Sequence, residues 1–134
     1  MSKSLMARLQ RPMPPLRALL ASFFTLAGSL HFARPKPYEA IVPAVLQPWK
    51  KEIVALSGAA ELAGAALVAP PASRRLGRWW LLALLAAVFP ANVHMAVNPE
   101  QIEGLDLRRF PRWLLWLRLP IQPLLMVWVW RATR

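Results

Sequence analysis

The chain has 134 residues, a length typical of one domain, and 57% of them are hydrophobic, above the usual share in soluble domains. Its formal net charge is +11, from seventeen Lys and Arg residues against six Asp and Glu. In a soluble protein this balance would indicate a nucleic-acid binder, but here the charges fall in short clusters between long apolar runs, as in membrane proteins. The sequence contains no Cys, which excludes disulfides, thiolate catalysis and Cys-ligated metals. We therefore expect the chain to interact with the lipid bilayer and not with nucleic acid.

Four apolar runs predict membrane-spanning helices, approximately at residues 16–32, 49–68, 79–97 and 113–130. Each run has about 17–20 residues, enough to cross about 30 Å of hydrocarbon at about 1.5 Å per residue. Only a helix satisfies the backbone polar groups of such a segment within the bilayer. Trp49, Trp79, Trp113 and Trp130 lie at run ends, at the headgroup level that tryptophan prefers. The sequence predicts an all-α, integral membrane, antiparallel four-helix bundle, formed by a single transmembrane domain of residues 1–134.

Prolines separate these runs and fill the predicted first loop, residues 33–48. Pro90, Pro120 and Pro123 lie inside predicted spans, where each should kink or locally unwind its helix. They are either ordinary prolines of membrane helices or residues that shape a site.

The first run has a basic front and a short apolar core, features that it shares with a cleaved signal peptide. A cleavage site of small residues would have to follow Leu30, but the sequence continues as HFARP over residues 31–35. We therefore expect the first span to be retained.

The N-terminal segment, the second loop and the C-terminus carry nine Lys or Arg residues, against seven in the first and third loops. This difference favours a multi-pass topology with both termini in the cytoplasm.

Five of the polar residues inside the predicted spans are candidates for a site, because a charge there costs at least about 2.5–3.5 kcal/mol unless it finds a partner or a wet cavity. They are His31, Glu61, Asn92, Arg118 and Gln122. Counting about 1.5 Å per residue from the span ends places the first four in the half of the bilayer that faces the first and third loops. Gln122 lies one helical turn from Arg118 on the same face. We predict a polar pocket lined by these five residues, with an ion pair between Glu61 and Arg118.

Two interpretations of this pocket stay open. It binds a ligand or relays protons, or the Glu61–Arg118 pair only clamps the second span to the fourth. In the second case, replacing either residue with Gln would weaken the fold. His31, His94 and Glu61 match no metal motif in their spacing, so we predict no metal site. The small residues around Glu61, together with Gly28, favour close helix packing over chemistry.

Five segments carry a resemblance to a known family: AGSLHF at 27–32, LSG at 56–58, ELAG at 61–64, VFPAN at 88–92 and RLPIQ at 118–122. Together they resemble the DoxX-like family of small four-helix membrane proteins, and the resemblance covers the chain from about residue 18. It implies a protein of the bacterial inner membrane whose matching positions Glu61, Asn92, Arg118 and Gln122 belong to a shared polar core. The family takes its name from a subunit of a thiosulfate:quinone oxidoreductase, and some members resemble accessory subunits or assembly factors of membrane redox systems.

Three functions are compatible with these features. The resemblance and the polar layer favour a non-catalytic accessory subunit with a pocket for a quinone-like or other small ligand. Its partner would be another membrane protein or a second copy of the chain. The alternatives are a small enzyme or transporter acting through His31, Glu61 and Arg118, and an assembly factor that binds membrane helices through Gly- and Ala-rich faces. The sequence carries no flavin, haem or iron–sulfur motif, so it identifies no cofactor beyond the quinone that the resemblance leaves open.

Overall fold

The computed structural model describes residues 2–9, 13–101 and 111–134. These residues form six α-helices and two 3-10 turns, without a strand, and the all-α prediction is confirmed for them. The helices are α1 (Lys3–Leu9), α2 (Pro15–Ala33), α3 (Pro35–Ala40), α4 (Lys50–Val68), α5 (Arg74–Val97) and α6 (Arg112–Thr133). The two 3-10 turns cover Ala44–Trp49 and Pro99–Gln101.

Prolines lie at several of the helix boundaries. Pro15 and Pro35 are the first residues of α2 and α3, a position where proline has the right φ angle and its missing N–H costs nothing. Pro111 precedes α6 in an extended conformation, and Pro70 follows the end of α4. Proline thus starts two of these helices and bounds two others.

The internal prolines do not interrupt their helices. α5 stays α-helical through Pro90, and α6 stays α-helical through Pro120 and Pro123. The predicted local unwinding at these positions is therefore wrong. A proline removes one backbone hydrogen bond but leaves the remaining bonds of the helix in place.

Three helices are long and apolar enough to cross a membrane by length and composition, namely α2, α5 and α6. α4 is as long as α2, at 19 residues, but carries four charged residues. Three of them, Lys50, Lys51 and Glu52, lie in its first turn, and the fourth is Glu61. Charge, and not length, therefore separates α4 from the other three helices.

One hydrophobic core receives side chains from all four long helices. Its buried residues are Leu20, Phe24, Ala65, Val68, Leu81, Leu85, Val129 and Ala132. A second, smaller cluster of Met95, Ala96 and Leu115 joins α5 to α6 nearer the start of α6. α4 packs against α2 and α5, and α6 packs against α5 and α2, so each long helix has two long neighbours.

Neighbouring long helices run antiparallel. Between α5 and α6, Arg78 contacts Thr133, whereas Asn92, further along α5, contacts Gln122, earlier in α6. Between α2 and α4, Gly28 lies against Leu62, whereas Phe32, further along α2, lies against Gly58, earlier in α4. The antiparallel order predicted from the sequence is thus observed among these helices.

Glycines allow α4 to lie close to both of its neighbours. A Cβ atom added to Gly28 would lie 2.9 Å from the carbonyl oxygen of Gly58, and one added to Gly58 would lie 2.7 Å from the Cβ of His31. A Cβ atom on Gly77 of α5 would lie 2.8 Å from the backbone nitrogen of Val68. Packed Cβ atoms do not approach other heavy atoms this closely, so the packing role expected of Gly28 and of the small residues of α4 is confirmed.

Candidate functional site

His31 and Glu61 meet where α2 and α4 pack together. Nδ1 of His31 lies 3.3 Å from Oε2 of Glu61, and their side chains are 10% and 17% exposed. The absence of a side chain at Gly58 makes this possible, because a Cβ there would overlap the Cβ of His31. The glycine contact between the two helices therefore positions the contact between the two titratable groups.

The hydrogen bonds of His31 leave Glu61 with an unused acceptor. Nδ1 of His31 lies 2.8 Å from the carbonyl oxygen of Ala27, one turn earlier in α2. Because a carbonyl oxygen only accepts, Nδ1 must carry a hydrogen and donate a hydrogen bond to the carbonyl of Ala27. Oε2 of Glu61 is buried and has no hydrogen-bond partner within the described part of the chain. The carboxylate thus lies beside the imidazole with one oxygen still able to accept a hydrogen bond.

Tyr38 covers the imidazole ring. The rings of His31 and Tyr38 stack with their centroids 3.9 Å apart and an angle of 21° between their planes. α2 ends at Ala33 and α3 begins at Pro35, which brings a residue seven positions after His31 back over it. Tyr38 is not among the site residues predicted from the sequence. The only local signal for it was the pair of prolines, Pro35 and Pro37, that starts a helix in a segment predicted as a loop.

Arg118 does not pair with Glu61. Its side chain is exposed, and it forms no ion pair or hydrogen bond with the residues that the structure describes. His31 takes the position next to Glu61 that the sequence analysis assigned to Arg118. Arg118 shares the inward stripe of α6 with Leu115 and Gln122 by spacing, but its long side chain can carry the guanidinium out of the packed interior.

The charge of Arg118 nevertheless reaches this group of residues. The pKa of the Tyr38 phenol is raised from its ordinary value, first by burial and then by the negative charge of Glu61. The positive charge of Arg118 acts on the same pKa in the opposite direction. We define the His31 site as His31, Tyr38 and Glu61, with Arg118 within electrostatic range.

Asn92 and Gln122 form a second, separate polar contact between α5 and α6. Both residues are buried, and Nδ2 of Asn92 donates to Oε1 of Gln122 at 3.4 Å. The amide nitrogen of Gln122 also donates to the carbonyl oxygen of Leu85. No hydrogen bond or ion pair among the described residues joins this pair to the His31 site. The predicted single pocket of five residues is therefore divided into two polar contacts, with Arg118 at the outside.

The second histidine contributes to neither contact. His94 lies in the last turn of α5, with its Nδ1 3.4 Å from Nδ2 of Asn98. Within the described ranges, no group of three or more His, Cys, Asp or Glu residues could hold a metal ion.

A family model described as "Domain of unknown function (DUF8561)" matches residues 20–133. The chain belongs to this family. The matched region contains every residue of the His31 site and the Asn92–Gln122 contact. No curated protein and no solved structure matches the chain. The family description states no activity and no link to DoxX-like proteins, so that resemblance stays a prediction.

Proposed function

We propose that the chain is a DoxX-like accessory subunit of a redox system in the bacterial inner membrane, and that its His31 site binds the polar head of a lipophilic small molecule of the quinone class. The observation that carries this proposal is the buried Oε2 of Glu61, which has no hydrogen-bond partner among the described residues. A buried acceptor without a partner costs about 1–3 kcal/mol. A ligand that donates a hydrogen bond to this oxygen would recover that free energy on binding.

The groups of the His31 site fit both redox forms of a quinone head. A quinol hydroxyl would donate to Oε2 of Glu61, and a quinone carbonyl would accept from the Tyr38 phenol. The Tyr38 phenol is protonated, and hence a donor, at neutral pH, because the ordinary pKa of tyrosine is about 10 and burial raises the pKa of Tyr38 further. When bound, the quinone would supply two-electron redox chemistry, and the side chains of this site would hold and orient its head.

The position of the His31 site within the bilayer depends on α4, which we propose as a fourth membrane span. Three of its charged residues lie in its first turn, where they would reach the membrane surface. Residues 53–68 contain a single charged residue, Glu61, and extend about 24 Å along the helix axis. α4 also shares a core with the three apolar helices through Ala65 and Val68. With four spans, both termini would lie on one side of the membrane, and the Lys and Arg count favours the cytoplasm for that side.

The test compares wild-type protein with Glu61→Gln and Glu52→Gln after gentle extraction from bacterial membranes. Glu52 is the matched control, since it is an exposed acid in the first turn of the same helix. Mass spectrometry of the purified samples quantifies co-purified quinones and membrane proteins. We expect quinone and a redox partner with the wild type and with Glu52→Gln, and about tenfold less quinone with Glu61→Gln. Equal quinone in all three samples, or none with the wild type, would refute the proposed ligand.

Thermal stability of the same purified variants separates a ligand site from a structural clamp. Glu61 has no directed hydrogen bond to lose among the described residues, so Glu61→Gln should not lower the melting temperature of ligand-free protein. A clamp between helices would instead lose about 1–3 kcal/mol on the same substitution. A strongly destabilised Glu61→Gln variant would therefore favour the structural interpretation.

A further inference from the structure

The end of the bundle that holds the start of α2 is strongly basic. We define the basic end as residues 13–17, 69–78 and 131–134. Its arginines are Arg17, Arg74, Arg75, Arg78, Arg131 and Arg134, and these three segments contain no Asp or Glu. No Asp or Glu side chain within these segments can therefore neutralise a buried arginine.

Arg78 is fully engaged by neighbouring groups. Its Nε donates to Oγ1 of Thr133 at 2.9 Å, and its Nη2 donates to the carbonyl oxygen of Thr133 at 2.6 Å. Its guanidinium also lies 4.6 Å from the centre of the Trp130 ring. A cation is favourable at the C-terminus of a helix, so Arg78 has a structural role in joining α5 to the end of α6.

Arg17 has no such partner among the residues that the structure describes. It is only 4% exposed, and its buried Nε forms no hydrogen bond with any described residue. Arg17 lies within electrostatic range of Arg74, which carries the same charge. A buried cation without a compensating partner is costly, and the like charge of Arg74 adds to that cost.

We propose that Arg17 and Arg74 bind a phosphate group at the basic end, and that in the membrane this phosphate belongs to the headgroup of an anionic phospholipid. The planar guanidinium group matches the geometry of phosphate oxygens and can donate two parallel hydrogen bonds to them. The N-termini of α2 and α5 both lie at this end, and a helix N-terminus also favours an anion.

The surroundings of Arg17 suit a lipid headgroup. Arg17 is the third residue of α2, one of the apolar helices, and so lies near the end of a membrane-crossing segment. The preceding residue, Leu16, accepts a hydrogen bond from the indole nitrogen of Trp128 at 3.2 Å. Tryptophan side chains prefer the headgroup level of the bilayer, which is the depth at which a lipid phosphate lies.

The test measures lipid binding to the full chain in detergent by native mass spectrometry. The probes are phosphatidylglycerol and phosphatidylcholine with identical acyl chains, and inorganic phosphate added alone or as a competitor. We expect the wild type to prefer phosphatidylglycerol, and Arg17→Gln to weaken that binding at least about tenfold, since it removes charge-assisted hydrogen bonds. Arg74→Gln should weaken it in the same direction, which keeps the test valid if Arg17→Gln fails to fold.

Arg131→Gln is the matched control, because it removes one exposed arginine from the same end. In salt that screens exposed charges it should change phosphatidylglycerol binding by about twofold or less. Equal losses in Arg17→Gln and Arg131→Gln would overturn the proposal in favour of a diffuse basic surface, as would equal wild-type binding of the two lipids. Displacement of phosphatidylglycerol by inorganic phosphate would support the phosphate site and assign its physiological ligand to a soluble phosphate ester.

Discussion

Tyr38 is the single tyrosine of the chain, and it reports on the charges of the His31 site. Its pKa is raised by burial and by Glu61 and lowered by Arg118. We therefore expect Glu61→Gln to lower the pKa of Tyr38 and Arg118→Gln to raise it further. Phenolate absorbance, followed against pH in detergent, measures both shifts on one residue. Glu100→Gln, at an exposed position of the second 3-10 turn, should leave the titration unchanged.

The same titration fixes the sign of a pH effect on stability. The folded chain holds the phenol proton to higher pH than the unfolded chain does, where tyrosine has a pKa of about 10. The contribution of Tyr38 to stability is thus fully present below about pH 10 and is lost as the pH rises through the folded-state pKa. A titration midpoint at or below the unfolded value would contradict the buried position of Tyr38.

The Asn92–Gln122 contact is expected to stabilise the packing of α5 on α6. Gln122→Leu removes the acceptor of Asn92 and the donor to the Leu85 carbonyl, so it should destabilise the fold by about 1 kcal/mol. A double-mutant cycle with Asn92→Leu should give a coupling free energy of about 0.6–1.7 kcal/mol. Additive effects of the two substitutions, measured by unfolding in detergent, would show that the amides do not interact.

The polar residues of the predicted pocket could be named from the sequence, but their partners could not. The fixed rise of a helix gives the depth of Glu61 from its position in α4, but depth alone does not say which neighbouring helix it faces. His31 and Arg118 were both placed in the same half of the bilayer, and the structure sets His31 against Glu61. Burial of an arginine also depends on the direction in which its long, flexible side chain extends, which the sequence does not show. Arg118 extends outward and Arg17 inward, although both are arginines on apolar helices.

Among the helices, the glycine contact of α2 and α4 is the element on which the His31 site depends. Gly58→Ala places a Cβ 2.7 Å from that of His31, so the helices must separate. We expect a loss of about 1–3 kcal/mol, as for other overpacked interiors. Ala59→Leu is the control, since Ala59 is exposed on the same helix and should tolerate the larger side chain. Thermal unfolding in detergent compares the two, and equal melting temperatures would argue against close packing at Gly58.

Helix boundaries follow from the sequence where proline is unambiguous, and not where it has two roles. The long helices contain the predicted spans apart from Trp49, because apolar runs and flanking prolines agree there. The segment predicted as the first loop instead contains α3 and a 3-10 turn, Ala44–Trp49. Proline both ends a helix and favours the first position of the next one, so Pro35 and Pro37 are compatible with either structure. Tyr38 reaches His31 because a new helix, α3, begins at Pro35.

At the scale of the whole molecule, the charges are divided between the two ends. The six Asp and Glu residues all lie between positions 39 and 106, outside the three segments of the basic end. Among the charged side chains of the described residues, the three segments of the basic end carry arginine alone, whereas the opposite end, with Glu39, Glu52 and Glu100, carries both signs of charge. This division favours an orientation in which the basic end faces the cytoplasm. In that orientation, Arg17 and Arg74 would lie in the leaflet whose anionic lipids would supply the proposed phosphate ligand.

The number of spans decides whether this orientation is consistent, and α4 is the helix to test. If α4 crosses the membrane, Ala44 before it and Ala72 after it lie on opposite sides. If α4 lies along the surface, both lie on the same side. The native sequence has no Cys, so Ala44→Cys and Ala72→Cys each introduce one thiol at an exposed position without background. We expect a membrane-impermeant maleimide to label Ala44→Cys in intact cells, and Ala72→Cys only after the membrane is opened. Labelling of both in intact cells, or of neither, would show that α4 does not cross the membrane. The chain would then have three spans, with its termini on opposite sides. It would also remove the His31 site from the bilayer, and with it the case for a lipophilic ligand.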